Sequence, residues 1–285
     1  MSMKNLYRII QVFVLVLIWA TSGAQNAAPH ADLSDVPGTS VSSPIPMPHL
    51  PLTALYDNGP LYNSVGTGAG GANESYLDFS SNSYGSNASV DLGYVVTDDF
   101  TIASGTWNIS SIDFYAYQTN SGTTSTFTAV YVAIYSGSPD VGTLVWGDYS
   151  TNRLGSAVFS NVYRTQTLGN GSATRPIMKV TANTPGLTLP AGTYWVEYGF
   201  SGSLSSGPWV PPTVPATQIT GNAMQWIGSG YAMVENPVGY ARDLPFTVNG
   251  EVVAPTIPTL SEWGLIIFGI ALLGFGTFFL LRRRS

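Results

Sequence analysis

From about Leu52 to Val253, the chain alternates short runs of β-branched and aromatic residues with Gly, Ser, Asn and Pro. Runs of this kind, separated by turn-forming residues, are typical of β-strands. No stretch of this region shows a convincing 3.6-residue apolar period, which would indicate a helix. The pattern predicts an all-β domain over residues 52–254, folded as an antiparallel β-sandwich of jelly-roll-like arrangement. The candidate strands are Tyr94–Ile102, Trp107–Gln118, Thr126–Tyr135, Gly142–Trp146, Ala157–Tyr163, Ile177–Thr181, Thr193–Phe200, Ala223–Ile227 and Phe246–Val252.

Two stretches allow more detailed predictions. The run from Phe127 to Tyr135 is apolar on both of its alternating faces, which indicates a central strand covered on both sides. Further along, Pro190 and Gly192 predict a turn. The strand after that turn should bury the face that carries Tyr194 and Tyr198.

The N-terminus has the three parts of a secretory signal peptide. Lys4 and Arg8 form a short positive region, Ile9–Ala20 is apolar apart from one glutamine, and small residues then lead to Ala24. This pattern predicts a signal peptide over residues 1–24, cleaved by signal peptidase after Ala24. A permanent N-terminal membrane helix is the alternative. Residues 25–51 are rich in proline and show no apolar period, so they are predicted to form a linker.

The C-terminus contains a second apolar segment, with no charge between Trp263 and Leu281. As a helix these 19 residues would extend about 28 Å, close to the hydrocarbon thickness of a bilayer. Arg282, Arg283 and Arg284 follow, and basic residues that flank a membrane helix stay in the cytoplasm. The sequence therefore predicts a membrane helix over 265–281 and a basic cytoplasmic tail over 282–285, with everything before the helix outside.

A short motif, Ile257-Pro258-Thr259-Leu260 followed by Trp263 and Gly264, precedes this helix within the segment 255–264. Together with the helix and the arginines it resembles the IPTL-CTERM sorting domain of Gram-negative bacteria, over about 29 residues. The resemblance implies recognition by an exosortase-type membrane protease, which removes the helix and releases the protein or transfers it to the cell surface. It also implies that the three arginines stop transfer. The alternative is a permanent single-span anchor. The implied recognition residues are Ile257, Pro258, Thr259, Leu260, Trp263 and Gly264.

Charge and composition exclude several classes of function. Charged residues make up 9% of the chain. The two terminal segments hold five of the ten basic residues and one of the sixteen acidic ones, which leaves the body a net charge of about −10. A nucleic-acid binder needs a basic face, so that class is excluded. Cysteine is absent and both histidines, His30 and His49, lie in the linker. Nucleophilic triads and Cys- or His-ligated zinc sites are therefore excluded from the folded body.

Carboxylates and aromatic residues remain as candidates for chemistry or binding. Glu197 is the most prominent carboxylate, since it lies in an aromatic strand close to Trp195, and both residues are candidate ligand contacts. It could belong to a glycosidase pair, or it could simply occupy an outward position on a half-exposed sheet. Trp209 lies in a loop-like, proline-rich segment. It could stack on a sugar, or it could plug one end of the sandwich.

Calcium is the one cofactor that the sequence leaves open, because Ca²⁺ takes carboxylate and carbonyl oxygens. Asp98 and Asp99 are adjacent, and Asp57 begins an Asp-Asn-Gly run. The second of these patterns is also an ordinary turn sequence. No EF-hand loop or nonapeptide calcium repeat is present.

These observations predict an exported cell-surface or extracellular-matrix protein with a non-catalytic β-sandwich body. Its expected partners are signal peptidase, an exosortase-type protease and, before processing, the membrane. The body itself is similar to uncharacterised β-rich domains of exported bacterial proteins. One alternative is a surface carbohydrate-binding module whose partner is an extracellular polysaccharide. A second alternative is a carboxylate-dependent glycoside hydrolase or lyase.

Overall fold

The computed structural model describes residues 53–76, 84–214, 221–234, 241–253 and 260–283. These residues belong to one unit of the chain, His49–Ser285. They are mostly β-structure, as predicted, with two short 3-10 helices (Ala69–Gly71 and Val90–Leu92) and one α-helix, α1 (Leu260–Arg282). The strands are β1 Thr53–Asp57, β2 Asn73–Tyr76, β3 Ser86–Asn87, β4 Val95–Ala116, β5 Phe127–Ser136, β6 Thr143–Asp148, β7 Leu154–Thr165, β8 Pro176–Gly202, β9 Trp209–Val210, β10 Met224–Trp226, β11 Tyr231–Met233 and β12 Phe246–Val252.

Ten of the described strands form one large mixed sheet. Its main path runs in the order β1-β12-β4-β8-β5-β6, and β7 also pairs with β8, while β10 also pairs with β4. At the margins, β11 pairs with β10 and β2 pairs with β7. Among the described pairings of this sheet, only β2 with β7 is parallel. The prediction of a purely antiparallel sheet is therefore wrong at this pair, because the long chain between β2 and β7 returns in the same direction. Strands β3 and β9 form a separate two-stranded sheet.

Two long strands, β4 and β8, run through the whole sheet and divide it into two halves. Residues 96–102 of β4 pair with residues 192–198 of β8, alongside β5, β6 and β10; we call this half A. Residues 106–116 of β4 pair with residues 178–190 of β8, alongside β1, β12 and β7; we call this half B. The two halves are thus covalently continuous through both long strands.

Side chains from the two halves bury one another in a common core. The ring of Phe114, in half B, stacks on that of Tyr198, in half A, with their centroids 4.0 Å apart. Phe100 of half A likewise contacts Phe246 of half B edge-to-face. All four of these side chains are almost completely buried. Because aromatic side chains carry much of a core's apolar area, these contacts hold the halves together.

The predicted strands agree with the structure except where prolines and glycines suggested breaks. Strand β12 has the predicted bounds, and β5 is mostly buried on both faces between β8 and β6, which confirms a central strand. The predicted turn at Pro190 and Gly192 is wrong, since both residues lie within β8. Pro190 pairs with Thr106 and Gly192 pairs with Ile102. Between these two pairs β4 has two more residues than β8, so the register is irregular there. The predicted buried face with Tyr194 and Tyr198 is confirmed.

The helix α1 covers the segment 265–281 that was predicted to cross a membrane. A helix at these residues is therefore confirmed. Within the described ranges, no helix combines the length and the apolar character that a membrane crossing requires. The predicted signal peptide and linker, residues 1–51, lie outside the described residues.

Candidate functional site

Glu197 lies on the outer face of half A, near the end of β8. Its neighbours across the sheet are Thr97 of β4 and Ala133 of β5. The preceding residue, Val196, points to the opposite face and is fully buried in the core. Glu197 is nevertheless only 3% exposed, so other side chains must cover it on the outer face. A buried carboxylate needs partners for both oxygens, because an unpaired charge in a dry environment is strongly disfavoured.

Two tyrosine hydroxyls supply those partners. Tyr149, just after β6, donates to Oε1 of Glu197, and Tyr231 of β11 donates to Oε2. The hydroxyl of Tyr135 in β5 lies 3.2 Å from that of Tyr149 and extends the network. We call these four residues the Glu197–tyrosine cluster. The two donors approach from opposite sides of β8, because β6 lies beyond β5 and β11 lies beyond β10.

Burial sets the protonation of this cluster. Burial raises the pKa of Glu197, and the two hydrogen bonds from the tyrosine hydroxyls oppose that rise. Burial raises the pKa of Tyr149 and of Tyr231 too, and the neighbouring Glu197 carboxylate adds to both increases. The two phenols therefore stay protonated at neutral pH and remain donors. The cluster is a fixed acceptor with fixed donors, which is the arrangement of a stabilising network.

The two tryptophans predicted as ligand contacts lie in different surroundings. Trp195 is on the same face of β8 as Glu197 and is directly opposite Tyr135 of β5. Trp209 belongs to β9 and packs against a small apolar cluster around Tyr117. Its indole nitrogen donates to the hydroxyl of Ser206 at 3.3 Å. The structure thus joins Trp195 to the Glu197 face and uses Trp209 as a packing residue.

The acidic residues considered for calcium act mainly as hydrogen-bond acceptors. Asp98 is buried, which raises its pKa, and it accepts hydrogen bonds from the Asn58 side chain and the Leu244 amide, each at 2.7 Å. Asp99 accepts from the side chain of Asn222 at 2.8 Å. Asp57 is at the exposed end of β1. Among the described residues, no group of three or more His, Cys, Asp or Glu side chains is arranged to hold a metal ion.

Sequence reasoning missed a cavity on the outer face of half B. Its volume is about 700 Å³, and it lies between β4, β7, β8 and the segment that follows β1. We call it the Lys179 cavity, because Lys179 is the one lysine of the chain after residue 4. That isolated cation was the available signal in the sequence. The walls of the cavity also include Asp57, Tyr62, Tyr115 and Val158.

The residues implied in sorting and processing fall only partly within the described chain. Leu260, Trp263 and Gly264 lie in the first turns of α1, and Arg282 is its last residue. Arg283 follows the helix and is exposed. The residues that lie outside the described ranges are Ala24, Ile257, Pro258, Thr259 and Arg284.

Comparison with known proteins does not place the chain in a family. No family model matches it, and no curated protein is similar to it.

Proposed function

We propose that this chain is an exported cell-surface or extracellular-matrix protein with a non-catalytic β-rich body. We also propose that the two facing halves of the sheet form a β-sandwich of jelly-roll-like type. The aromatic contacts between the halves support this description, since sandwiches bury their inner faces against each other.

One observation carries the non-catalytic role. Glu197, the most prominent carboxylate of the sequence, is almost fully buried and both of its oxygens accept tyrosine hydrogen bonds. A glycosidase acid or nucleophile must reach the sugar, and a retaining or inverting mechanism needs two such groups. Glu197 instead ties β8 to the segments that carry Tyr149 and Tyr231. The carboxylate therefore serves the architecture of this face.

The export and sorting part of the proposal rests on the two ends of the sequence. The first 24 residues have the organisation of a signal peptide, and the IPTL-type motif precedes an apolar segment and three arginines. Helix α1 presents its described apolar side chains outward; Leu265, for example, is 71% exposed. Exposed apolar surface of this extent is typical of segments that meet a membrane or another protein. An exosortase-type protease would recognise residues 257–264 and separate the body from the helix.

Mass spectrometry of the protein from a Gram-negative host that carries such a protease tests this proposal. The mature N-terminus should be Gln25, and peptides from 265–284 should be missing from the surface fraction. Pro258→Ala should keep the tail attached, whereas the matched control Pro255→Ala should be processed normally. An intact tail on the surface-exposed wild-type protein would contradict sorting and would favour the permanent anchor.

Carbohydrate binding is the second candidate function, and the Lys179 cavity is the observation that favours it. The cavity combines aromatic and charged side chains in about 700 Å³, within the usual size of small-molecule sites. The hydrolase alternative has a direct test in Glu197→Gln. If any glycosidase activity of the purified protein were lost in this variant with its fold intact, Glu197 would be catalytic and the non-catalytic role would be wrong.

A further inference from the structure

The floor of the Lys179 cavity is a row of side chains on three neighbouring strands. Tyr115 of β4 is directly opposite Lys179 of β8, which is directly opposite Val158 of β7. The end of β1 and the segment after it form the other wall and contribute Asp57 and Tyr62. The floor is therefore part of a regular sheet. Sites on such rigid elements hold their side chains more accurately than sites built on loops alone.

The ammonium group of Lys179 is held in place but remains able to bind a ligand. Its Nζ lies 3.6 Å from Oδ2 of Asp113, and its side chain is 41% exposed. Asp113 is itself fixed by hydrogen bonds from the Thr181 hydroxyl at 2.6 Å and the Asn249 amide at 3.2 Å. Because an ammonium group has three N–H donors, at least two of them stay available to acceptors in the cavity.

The aromatic residues give the cavity a surface for the apolar face of a sugar ring. Tyr62 is 42% exposed, and Tyr115 is partly buried beside Lys179. Sugar rings expose C–H bonds on their faces and hydroxyl groups at their edges. Flat aromatic walls contact the former, while the donor of Lys179 and the acceptor oxygens of Asp57 can bond the latter. Pockets that combine apolar walls with a few convergent polar groups are typical of small-ligand sites.

Local charge excludes acidic sugars and is compatible with a neutral one. Asp57 and Asp113 outnumber the single cation of the site, and the body around it carries a net charge of about −10. An acidic polysaccharide would be repelled by this surface, since the long-range field acts on the whole polymer. A neutral polymer meets no such barrier and can bond both the ammonium and the carboxylate.

A larger cavity, about 1080 Å³, lies at the other end of half B but fits a sugar less well. Its walls include no aromatic side chain among the described residues. Its polar side chains also bond one another: the Thr188 hydroxyl donates to Asn108 at 2.8 Å, and the Asn108 amide donates to Glu251 at 3.4 Å. The observations therefore favour the Lys179 cavity.

We propose that the Lys179 cavity binds neutral hexose units of an extracellular polysaccharide, with Lys179 and Asp57 bonding the hydroxyl groups and Tyr62 and Tyr115 contacting the ring. This inference rests on the carbohydrate-binding candidate function and is independent of the sorting proposal. It assigns the site and the ligand class to one face of the β-rich body.

The test is an array of neutral and uronic-acid oligosaccharides, probed with the full chain in a detergent without a sugar headgroup. Binding to neutral oligosaccharides should be followed by titration calorimetry of the variants. Lys179→Met and Tyr62→Ala should each weaken it at least tenfold. Arg153→Met is the matched control, because Arg153 also pairs with an aspartate, Asp148, but lies outside the cavity lining. It should leave the affinity unchanged.

Three results would overturn the site: no binding to any neutral oligosaccharide, binding to uronic-acid chains alone, or unchanged affinity in both cavity variants. Both altered side chains are substantially exposed, so their variants should fold, and circular dichroism checks this. Failure of this test with the tail still removed in cells would leave the sorting proposal standing. Binding of neutral oligosaccharides by a protein whose tail stays attached in cells would support the site and contradict the sorting proposal.

Discussion

The hydrogen bond from Tyr231 to Glu197 should stabilise the protein more at high pH than at low pH. Tyr231→Phe removes this donor and leaves the ring in place against Trp226, which it contacts edge-to-face. Above the pKa of Glu197 the acceptor is a charged carboxylate, and hydrogen bonds to charged groups contribute about 2 kcal/mol. Below that pKa the acceptor is neutral and the contribution falls to about 1 kcal/mol.

The sign of the pH dependence follows from the direction of the shift. Burial raises the pKa of Glu197 in the folded state, so the folded protein binds its proton more tightly than the unfolded chain does. Stability from this group is complete below the ordinary glutamate pKa and is lost as pH rises through the raised value. Tyr231→Phe removes a bond that favours the charged form. The substitution should therefore raise the pKa of Glu197 further and increase the stability that is lost as pH rises.

Thermal unfolding of the full chain at pH 4 and pH 8.5 measures the effect. At pH 8.5 the loss of about 2 kcal/mol corresponds to a decrease in Tm of about 4–8 °C for a domain of this size. The decrease at pH 4 should be about half as large. The control is Tyr194→Phe, whose hydroxyl donates to the uncharged carbonyl of Pro190 at 3.1 Å and should show no pH dependence. Equal losses at both pH values, unaltered in a Glu197→Gln background, would refute the reasoning.

Three further substitutions test the fold. Gly147→Ala should destabilise by more than about 2 kcal/mol in urea unfolding, because Gly147 has a positive φ and an added Cβ would lie 2.1 Å from the carbonyl oxygen of Val132. Phe114→Ala should cost about 3–5 kcal/mol by the same assay, since it leaves a cavity against Tyr198. Asp148→Asn should destabilise at neutral pH, with a difference from wild type that shrinks below about pH 4, because hydrogen bonds lower the pKa of Asp148.

Each of these substitutions has a comparison that separates its cause from a general loss of fold. Gly93→Ala meets no atom within 4 Å but shares the positive φ, so it should cost only about 1 kcal/mol. Val141→Ala, at a highly exposed position, should change stability by less than about 0.5 kcal/mol. For Asp148, a difference from wild type that is constant from pH 2 to pH 7 would contradict the role of its hydrogen bonds.

The strand content could be predicted because alternating burial is a local property of the sequence. The continuity of β4 and β8 could not be predicted, since the local signals at their irregular positions indicate breaks. Gly105 has a positive φ where β4 carries its extra residues, and β8 passes through Pro190 without ending. Pairing with a neighbouring strand overrides such signals. The parallel pairing of β2 with β7 depends on chain contacts that no local pattern encodes.

The candidate site was foreseeable only in part for the same reason. Glu197 stood out because a carboxylate is unusual inside an aromatic strand. Its donors are 48 and 34 residues away in sequence, in Tyr149 and Tyr231, so only the fold brings them to the carboxylate. Lys179 could be noticed as an isolated cation, but its cavity also needs the segment after β1, more than 100 residues away.

The placement of positive charge in the body determines which polymers it can attract. Two buried guanidinium groups and two that stack on aromatic rings account for four of its five cations: Arg164, Arg242, Arg153 and Arg175. The fifth is Lys179. Neutralisation of a polyanion needs several cations in a row on an accessible face, because each contributes by releasing a counterion. This body has a single half-exposed ammonium beside an aspartate. Any polysaccharide that it binds must therefore be recognised through hydroxyl groups and ring faces, and a neutral polymer satisfies that requirement without opposing the acidic surface.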